Sequence, residues 1–176
     1  CRIARVVARC AQVRRHPRSR CFVARRVDTF AAKHRIRSGT SDQQVVSRSP
    51  LTGTICDSSS GGTFGAALKG AGIDGLIITG RAATPVYLSV HEGEVEIRDA
   101  SAFWGLDTHQ TQKGIQAETS SKTSVACIGP AGENRIIFAA IMNDKDRAAG
   151  RGGLGAIMGA KNLKAIAAAG GRPVAI

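Results

Sequence analysis

The 176-residue chain reads as an α+β domain in which strands predominate, and three observations point to that class. Apolar residues alternate with polar ones from Val86 to Ile97, the period-two pattern of a half-buried antiparallel pair. The other apolar runs are short, and glycine or polar residues bound them, as buried strands require. None approaches the ~18 apolar residues of a membrane-spanning helix. Repeats at a fixed period are absent, so sheets with a few short helices in one unit of about 130 residues is the expectation.

The elements follow in order. Residues 45–48 read as a short strand that Ser49-Pro50 punctuates, and residues 51–62, LTGTICDSSSGG, read as a loop of small polar residues and glycines. Residues 64–71 suit a short helix, closed by Gly72 where a left-handed cap is needed. DGLIITG at 74–80 is a buried strand by its length. Val86, Leu88 and Val90 alternate with Tyr87, Ser89 and His91, and after Glu92-Gly93 the pattern resumes at Val95 and Ile97, predicting a hairpin. A helix is expected over 107–118 and strands over 124–128 and 136–141. In 163–169 alanine favours helix, whereas the length and the bounding glycines favour a buried strand.

Nearly all of the formal charge of +12 sits at the start of the chain. Residues 1–37 hold eleven Arg and Lys33 against Asp28 alone, and residues 38–176 hold 13 basic and 12 acidic side chains. The nearly neutral remainder offers little footing for counterion release on a polyanion, which argues against nucleic acid as the partner. Residues 1–37 contain no glycine and sustain no hydrophobic period. A transit peptide, a basic nucleic-acid arm, and a disordered or miscalled stretch read out of frame all suit that composition. A twin-Arg export signal does not, because no apolar stretch follows Arg14-Arg15 or Arg25-Arg26. The expected division is therefore a leader at 1–37, disordered or miscalled, and a domain at 38–176 that is incomplete at its start.

Cys1, Cys10, Cys21, Cys56 and Cys127 are widely spaced and include no C-x-x-C pair. Zinc ribbons and iron–sulfur ligand sets need such pairs, so none is expected in this chain. The odd count, without an export signal, favours a reducing compartment such as the cytoplasm. The isolated His16, His34, His91 and His109 read as solvated side chains rather than metal ligands.

GRGGLG at 150–155 matches G-x-G-x-x-G in letters only, because polar residues precede it and no acid follows Asp146. A P-loop fails as well, since Gly159-Ala160-Lys161 breaks the Gly-Lys pair. A more general chemistry remains. Residues 147–153, RAAGRGG, join two guanidiniums to an unshielded backbone that can aim amides at an anion. SSSGG at 58–62 offers hydroxyls and helix N-terminal amides of the same kind. Two such loops suggest a phosphate-bearing ligand, although glycine loops also serve merely to turn a chain. Glu92, Glu94 and Glu96 read as a solvated strand face. Glu133 suits capping or orienting a loop, and Asn143-Asp144 is weak ground for a cation. There is no G-x-S-x-G elbow, and no catalytic residue is assigned.

Several segments taken together resemble the N-terminal domain of the aldehyde ferredoxin oxidoreductase family. They are SPLTGT at 49–54, SGGTFGAALKGAGIDGLIITGRA at 60–82, PVYLSVHEGEVEIRDAS at 85–101, IGPAGEN at 128–134, IMND at 141–144 and RAAGRGGLGAIMGAKNLKAIA at 147–167. The resemblance runs from Val45 to about Arg172, in order and with consistent spacing. It implies two β-sheets forming a base for a bis-pyranopterin cofactor of tungsten or molybdenum, whose phosphates are bridged by Mg²⁺. It implies oxidation of aldehydes to carboxylic acids, with electrons passing to ferredoxin through a [4Fe–4S] cluster held by C-terminal domains outside this chain. Position by position, Ser59, Gly61, Arg147, Ala148 and Gly150 would face the cofactor, with Ser59 and the Ala148 carbonyl serving the magnesium.

The chain departs from the family pattern in three places. Ser59 stands where Asn is frequent, and Asp42 stands where an Arg precedes the proline by eight residues. The Arg-rich leader replaces a glycine-rich segment. An acid at position 42 would repel phosphate. The lack of a long apolar run implies no membrane partner, and the resemblance allows a homo-oligomer and predicts that this chain alone is inactive. The alternative is a stand-alone module binding pterin or, through residues 1–37, nucleic acid.

Overall fold

The computed structural model describes residues 7–10, 30–37 and 40–171. Two sheets with a few short helices make up the described part, as the sequence predicts. The first sheet contains β1 (Val7–Cys10), β2 (Phe30–Arg37), β3 (Thr40–Arg48), β4 (Ile55–Ser60) and β5 (Gly75–Thr79), in the spatial order β1-β5-β2-β3-β4 with every pair antiparallel. The second contains β6 (Val86–His91), β7 (Glu94–Asp99), β8 (Ser124–Cys127), β9 (Ile141–Asn143), β10 (Arg147–Ala149) and β11 (Leu163–Ala169), in the order β10-β9-β8-β11-β6-β7. Only β11 and β6 run parallel. The helices are α1 (Phe64–Gly70), α2 (Thr108–Glu118), α3 (Pro130–Glu133) and α4 (Leu154–Ala160), and Ser101–Phe103 forms one 3₁₀ turn. Residues 1–37 contribute β1 and β2; the rest of that leader lies outside the described residues.

Burial follows the alternation seen in the sequence. Val86, Leu88 and Val90 on β6 point into the main core with Val45, Leu76, Ile78, Ala126, Ile166 and Ala168 from the other strands. Phe64 and Leu68 of α1 and Leu154 and Met158 of α4 complete it. The opposite face of the second sheet is covered by α2, where Tyr87, Val125, Cys127, Ala165 and Ala167 pack with Phe103 and Ile115. Removing this apolar area from water is the main favourable term holding the layers together.

Local chemistry sets the ends of the elements. Helix α1 closes in a Schellman motif: Gly72 N–H donates to Lys69 C=O at 2.9 Å and Ile73 N–H to Leu68 C=O at 3.2 Å. Gly72 adopts φ +88°, which its lack of a Cβ permits. Helix α2 begins with a capping box, in which Gln110 N–H donates to the Asp107 carboxylate at 2.7 Å and the Gln110 side chain accepts from Asp107 N–H. The β6–β7 hairpin turns on Glu92 and Gly93, both at positive φ, as a two-residue turn matched to strand twist requires.

Three expectations are corrected. Residues 51–62 are not a loop throughout, because Ile55–Ser60 is strand β4, paired with β3. The strand expected over 45–48 begins at Thr40. The strand expected over 136–141 is confined to Ile141–Asn143; Ile136, Ile137 and Phe138 are exposed in a turn, with Ala139 N–H donating to Ile136 C=O. GRGGLG opens helix α4, but the strand before it is a three-residue antiparallel edge and the strand after it runs antiparallel to β8. That is not a βαβ unit, so the dinucleotide reading falls on topology too. Residues 163–169 are the buried strand β11.

β11 carries a β-bulge at Lys164: Leu163 pairs with Val86 and Ala165 already pairs with Tyr87. The extra residue lets Leu163 and Ile166 share the main core while Ala165 and Ala167 face α2. Lys164 is fully buried. Its ammonium donates to Leu106 C=O at 2.9 Å and forms an ion pair with Glu133, itself 5% exposed. Glu133 also accepts from Gly105 N–H, at 2.9 and 3.0 Å to its two oxygens, so it orients the loop before α2 as its place in GPAGEN suggested.

Candidate functional site

The two anion loops singled out in the sequence meet in space. β10 lies against β4, and Arg151 N–H donates to Ser58 Oγ at 3.1 Å. Strand alternation divides the serines of β4: Ser58 and Ser60 point inward and are buried, whereas Asp57 and Ser59 face outward and are exposed. Ser59 pairs in register with Gln44 of β3, and Asp42 ends the same outward row. Opposite this edge, Arg147, Ala148, Gly150 and Arg151 are exposed.

A buried amide joins the two segments. Asn143, at the end of β9 and paired in register with Arg147, has no solvent exposure. Its Oδ1 accepts from Gln43 Nε2 at 2.8 Å and from Ser60 Oγ at 2.7 Å. Its Nδ2 donates to Gly61 C=O at 3.0 Å and to Asp144 Oδ2 at 3.2 Å. Asp144 accepts from both the backbone N–H and the hydroxyl of Thr63, the residue before α1. Asp144 and Lys145 both have positive φ in the tight turn that reverses the chain into β10.

These contacts revise the chemistry expected of the SSSGG segment. The Ser58 and Ser60 hydroxyls and the Thr63 amide have partners within the protein, so the groups there open to a ligand reduce to Ser59 and the backbone at Gly61. Asn143 and Asp144 are likewise engaged, and among the described residues no cluster of three or more His, Cys, Asp and Glu could hold a metal ion. Nothing in the sequence of Asn143 or Gln43 alone marked them as linking the loops. The signal was spacing, since IMND precedes RAAG by two residues and a hairpin there places Asn143 opposite Arg147.

The residues left facing outward fit a phosphate-bearing group. A Cβ built on Gly150 would meet only the Ala148 methyl, at 4.0 Å, so a ligand can approach the backbone between two exposed guanidiniums. A Cβ on Gly61 would lie 3.6 Å from an Asp42 carboxylate oxygen. The acid therefore stands at the Gly61 end, where it opposes a bare phosphate and favours one neutralised by a hard cation.

Two other features lie apart from this edge. A polar groove of about 340 Å³, lined by His91, Glu94, Glu96, Arg98, Glu118 and Thr123, sits at the opposite edge of the second sheet. Beside it the Tyr87 hydroxyl donates to Glu118 at 3.0 Å, and burial raises the Tyr87 pKa. Cys127, buried under α2, has its pKa pushed up to about 12 by burial, and the half-buried Cys56 is also a free thiol. No described helix is long and apolar enough to cross a membrane.

Comparison with known proteins agrees with the two-sheet fold. The family model described as aldehyde ferredoxin oxidoreductase, N-terminal domain, matches residues 34–170. The tungsten-containing aldehyde ferredoxin oxidoreductase of Pyrococcus furiosus is 55% identical over 133 residues, covering 75% of this chain and 22% of the relative. The Pyrococcus abyssi protein of the same name is 54% identical over the same share. The aliphatic sulfonate oxidoreductase, WOR-like subunit, of Pyrococcus furiosus is 41% identical over 74% of this chain and 23% of its own length. Among solved structures, the active site complex BamBC of benzoyl coenzyme A reductase with 1,5-dienoyl-CoA superposes with a TM-score of 0.79 at 35% identity, over 83% of this chain and 23% of that one. The chain thus spans about a fifth of the length of the curated relatives it matches.

Proposed function

Because the chain belongs to the aldehyde ferredoxin oxidoreductase family through its N-terminal domain, we propose that it forms the base on which a pterin-bound tungsten cofactor of an aldehyde-oxidising enzyme is seated. The observation that carries the reading is the convergence of β4 and β10 at one exposed edge. There Ser59 and Gly61 lie on one side and Arg147, Ala148 and Gly150 on the other. In this reading Arg147 clamps phosphate oxygens, the open backbone at Gly61 and Gly150 admits the group closely, and Ser59 with the Ala148 carbonyl serves a bridging Mg²⁺. Asp42 makes the magnesium obligatory, since without it a carboxylate would face a phosphate.

When bound, the cofactor supplies the two-electron redox chemistry at its metal, and this domain supplies position and charge. Aldehyde oxidation and delivery of electrons to ferredoxin through an iron–sulfur cluster require the remaining length that the relatives possess. Exposed Leu51, Ile137 and Phe138 on turns and Ile55 at the start of β4 lie near the 150–153 segment and suit cover by such a further domain. Accordingly, the chain alone reduces no viologen dye with an aldehyde.

The test is calorimetric titration of the chain with pyrophosphate, a mimic of the cofactor's phosphate end, with and without Mg²⁺. Binding that needs Mg²⁺ and weakens by about 10-fold or more in Arg147→Gln is the expected result, from the loss of one charge-assisted fork. Binding that ignores Mg²⁺, or that is unchanged in Arg147→Gln, overturns the assignment.

A further inference from the structure

We propose that Asn143 is a positioning residue that sets the separation and register of the two cofactor-facing segments; this rests on the cradle reading above. Its amide is buried completely and all its hydrogen-bonding capacity is used: three bonds reach Gln43, Ser60 and Gly61 on the side of the first sheet, and the fourth holds the neighbouring Asp144. Two donors meet Oδ1 and two oxygens meet Nδ2, so only one orientation of the amide satisfies them. One half of the amide thereby holds β3 and β4 through Gln43 and Ser60, one residue from Ser59. The other half holds the Gly61 carbonyl and the Asp144 carboxylate, which in turn fixes Thr63.

The same residue stands opposite Arg147 in the β9–β10 ladder. Asn143 is therefore bonded to one side of the cradle and paired in register with the other. A phosphate–magnesium group gripped from both sides tolerates little change in that separation, because its ligands must converge on fixed oxygen positions.

Asn143→Asp separates the two halves of this role. A carboxyl group still accepts from Gln43 and Ser60, but ionised it has no proton for the Gly61 carbonyl or Asp144, and protonated it donates to only one of them where the amide donates to both. At least one of the Gly61 and Asp144 arms is thereby lost while the β3 and β4 arms stay attached.

Hydrogen exchange on the full, unliganded chain is the first measurement. Amides over 60–63 and 147–151 should exchange together, about 10-fold or more faster in Asn143→Asp, with helix α2 unchanged. Acceleration confined to 141–146 overturns the proposal. The second measurement uses Gln43→Leu/Ser60→Ala/Asn143→Leu, which removes the three buried polar side chains together, leaves the half-buried Gly61 carbonyl to water and Asp144 to Thr63, and should melt within about 5 °C of the unmodified chain. A merely structural amide predicts that binding of Mg²⁺-pyrophosphate returns with this stability, and that result overturns the proposal. A stable triple variant that still binds about 10-fold or more weakly supports it. Should the triple variant not fold, the exchange pattern of Asn143→Asp decides alone. An unmodified chain that binds no Mg²⁺-pyrophosphate yet shows the paired exchange response sinks the cradle reading and leaves the coupling by Asn143 standing.

Discussion

Replacing Lys164 by Met removes the ammonium from a site that has no contact with water. The Glu133 carboxylate, 5% exposed, then keeps only the Gly105 N–H and remains as a nearly isolated buried charge. Removing one partner of a buried pair costs roughly 3–5 kcal/mol, mostly from the charge left behind. At roughly 2–4 °C per kcal/mol for a chain of this size, the melting temperature should fall by about 6–20 °C. Urea unfolding at pH 7 measures the loss directly, and the slope with urea should not change. Glu133→Leu in the Lys164→Met background should recover most of the loss, because no buried charge then remains and water can serve the exposed Gly105 amide. A single variant within about 1 kcal/mol of the unmodified chain, or a double variant as unstable as the single, would refute the reasoning.

Gly153→Ala should prevent stable folding or cost more than about 4 kcal/mol, because the added methyl would overlap the Ile137 carbonyl at a position with φ +66°; circular dichroism with thermal melting checks it. Cys127 should resist maleimide at pH 8 while Cys56 labels, since burial keeps the Cys127 thiol protonated with a pKa of about 12. The native state holds that proton where the unfolded chain, with a pKa of 9.0, releases it. Stability should therefore fall as pH rises above 9, by about 1.4 kcal/mol per unit from this group, with Tyr87 adding in the same direction. Cys127→Ala should flatten that slope in denaturant titrations between pH 8 and 10.

The parts of the fold that were legible are those where one local signal sufficed. Alternation in 86–97 determined the hairpin, and Gly72 after an apolar run marked the end of α1. Strand β4 was hidden because Ser and Asp are poor strand formers; it forms since β3 pairs with it and since Asn143 and Arg151 N–H satisfy its inward serines. Helix α4 was hidden behind its glycines. Gly155 and Gly159 are needed where the Ala140 and Gly132 carbonyls approach too closely for any Cβ, a tertiary demand that local propensity cannot register. Ile136, Ile137 and Phe138 looked like strand by composition, yet they lie exposed in a turn.

At the candidate site, the paired guanidiniums and bare backbone of RAAGRGG were legible, and so was the idea of two loops. Which hydroxyls remain available was not, because β4 alternation turns Ser58 and Ser60 inward and leaves Ser59 outside. The buried partners Gln43 and Lys164 were equally silent, and for Asn143 the spacing of IMND and RAAG was the whole signal. Each is explained only by groups distant in sequence, such as Asn143 with Gln43 at 100 residues' separation.

The most direct test of the central claim is amide chemical-shift mapping of the isotope-labelled chain during titration with Mg²⁺-pyrophosphate. A cofactor cradle predicts saturable shifts concentrated at Gly61, Arg147, Ala148, Gly150 and Arg151, on both sides of the β4–β10 edge. No saturable response, or one confined to the groove of His91 and Glu118, would contradict it.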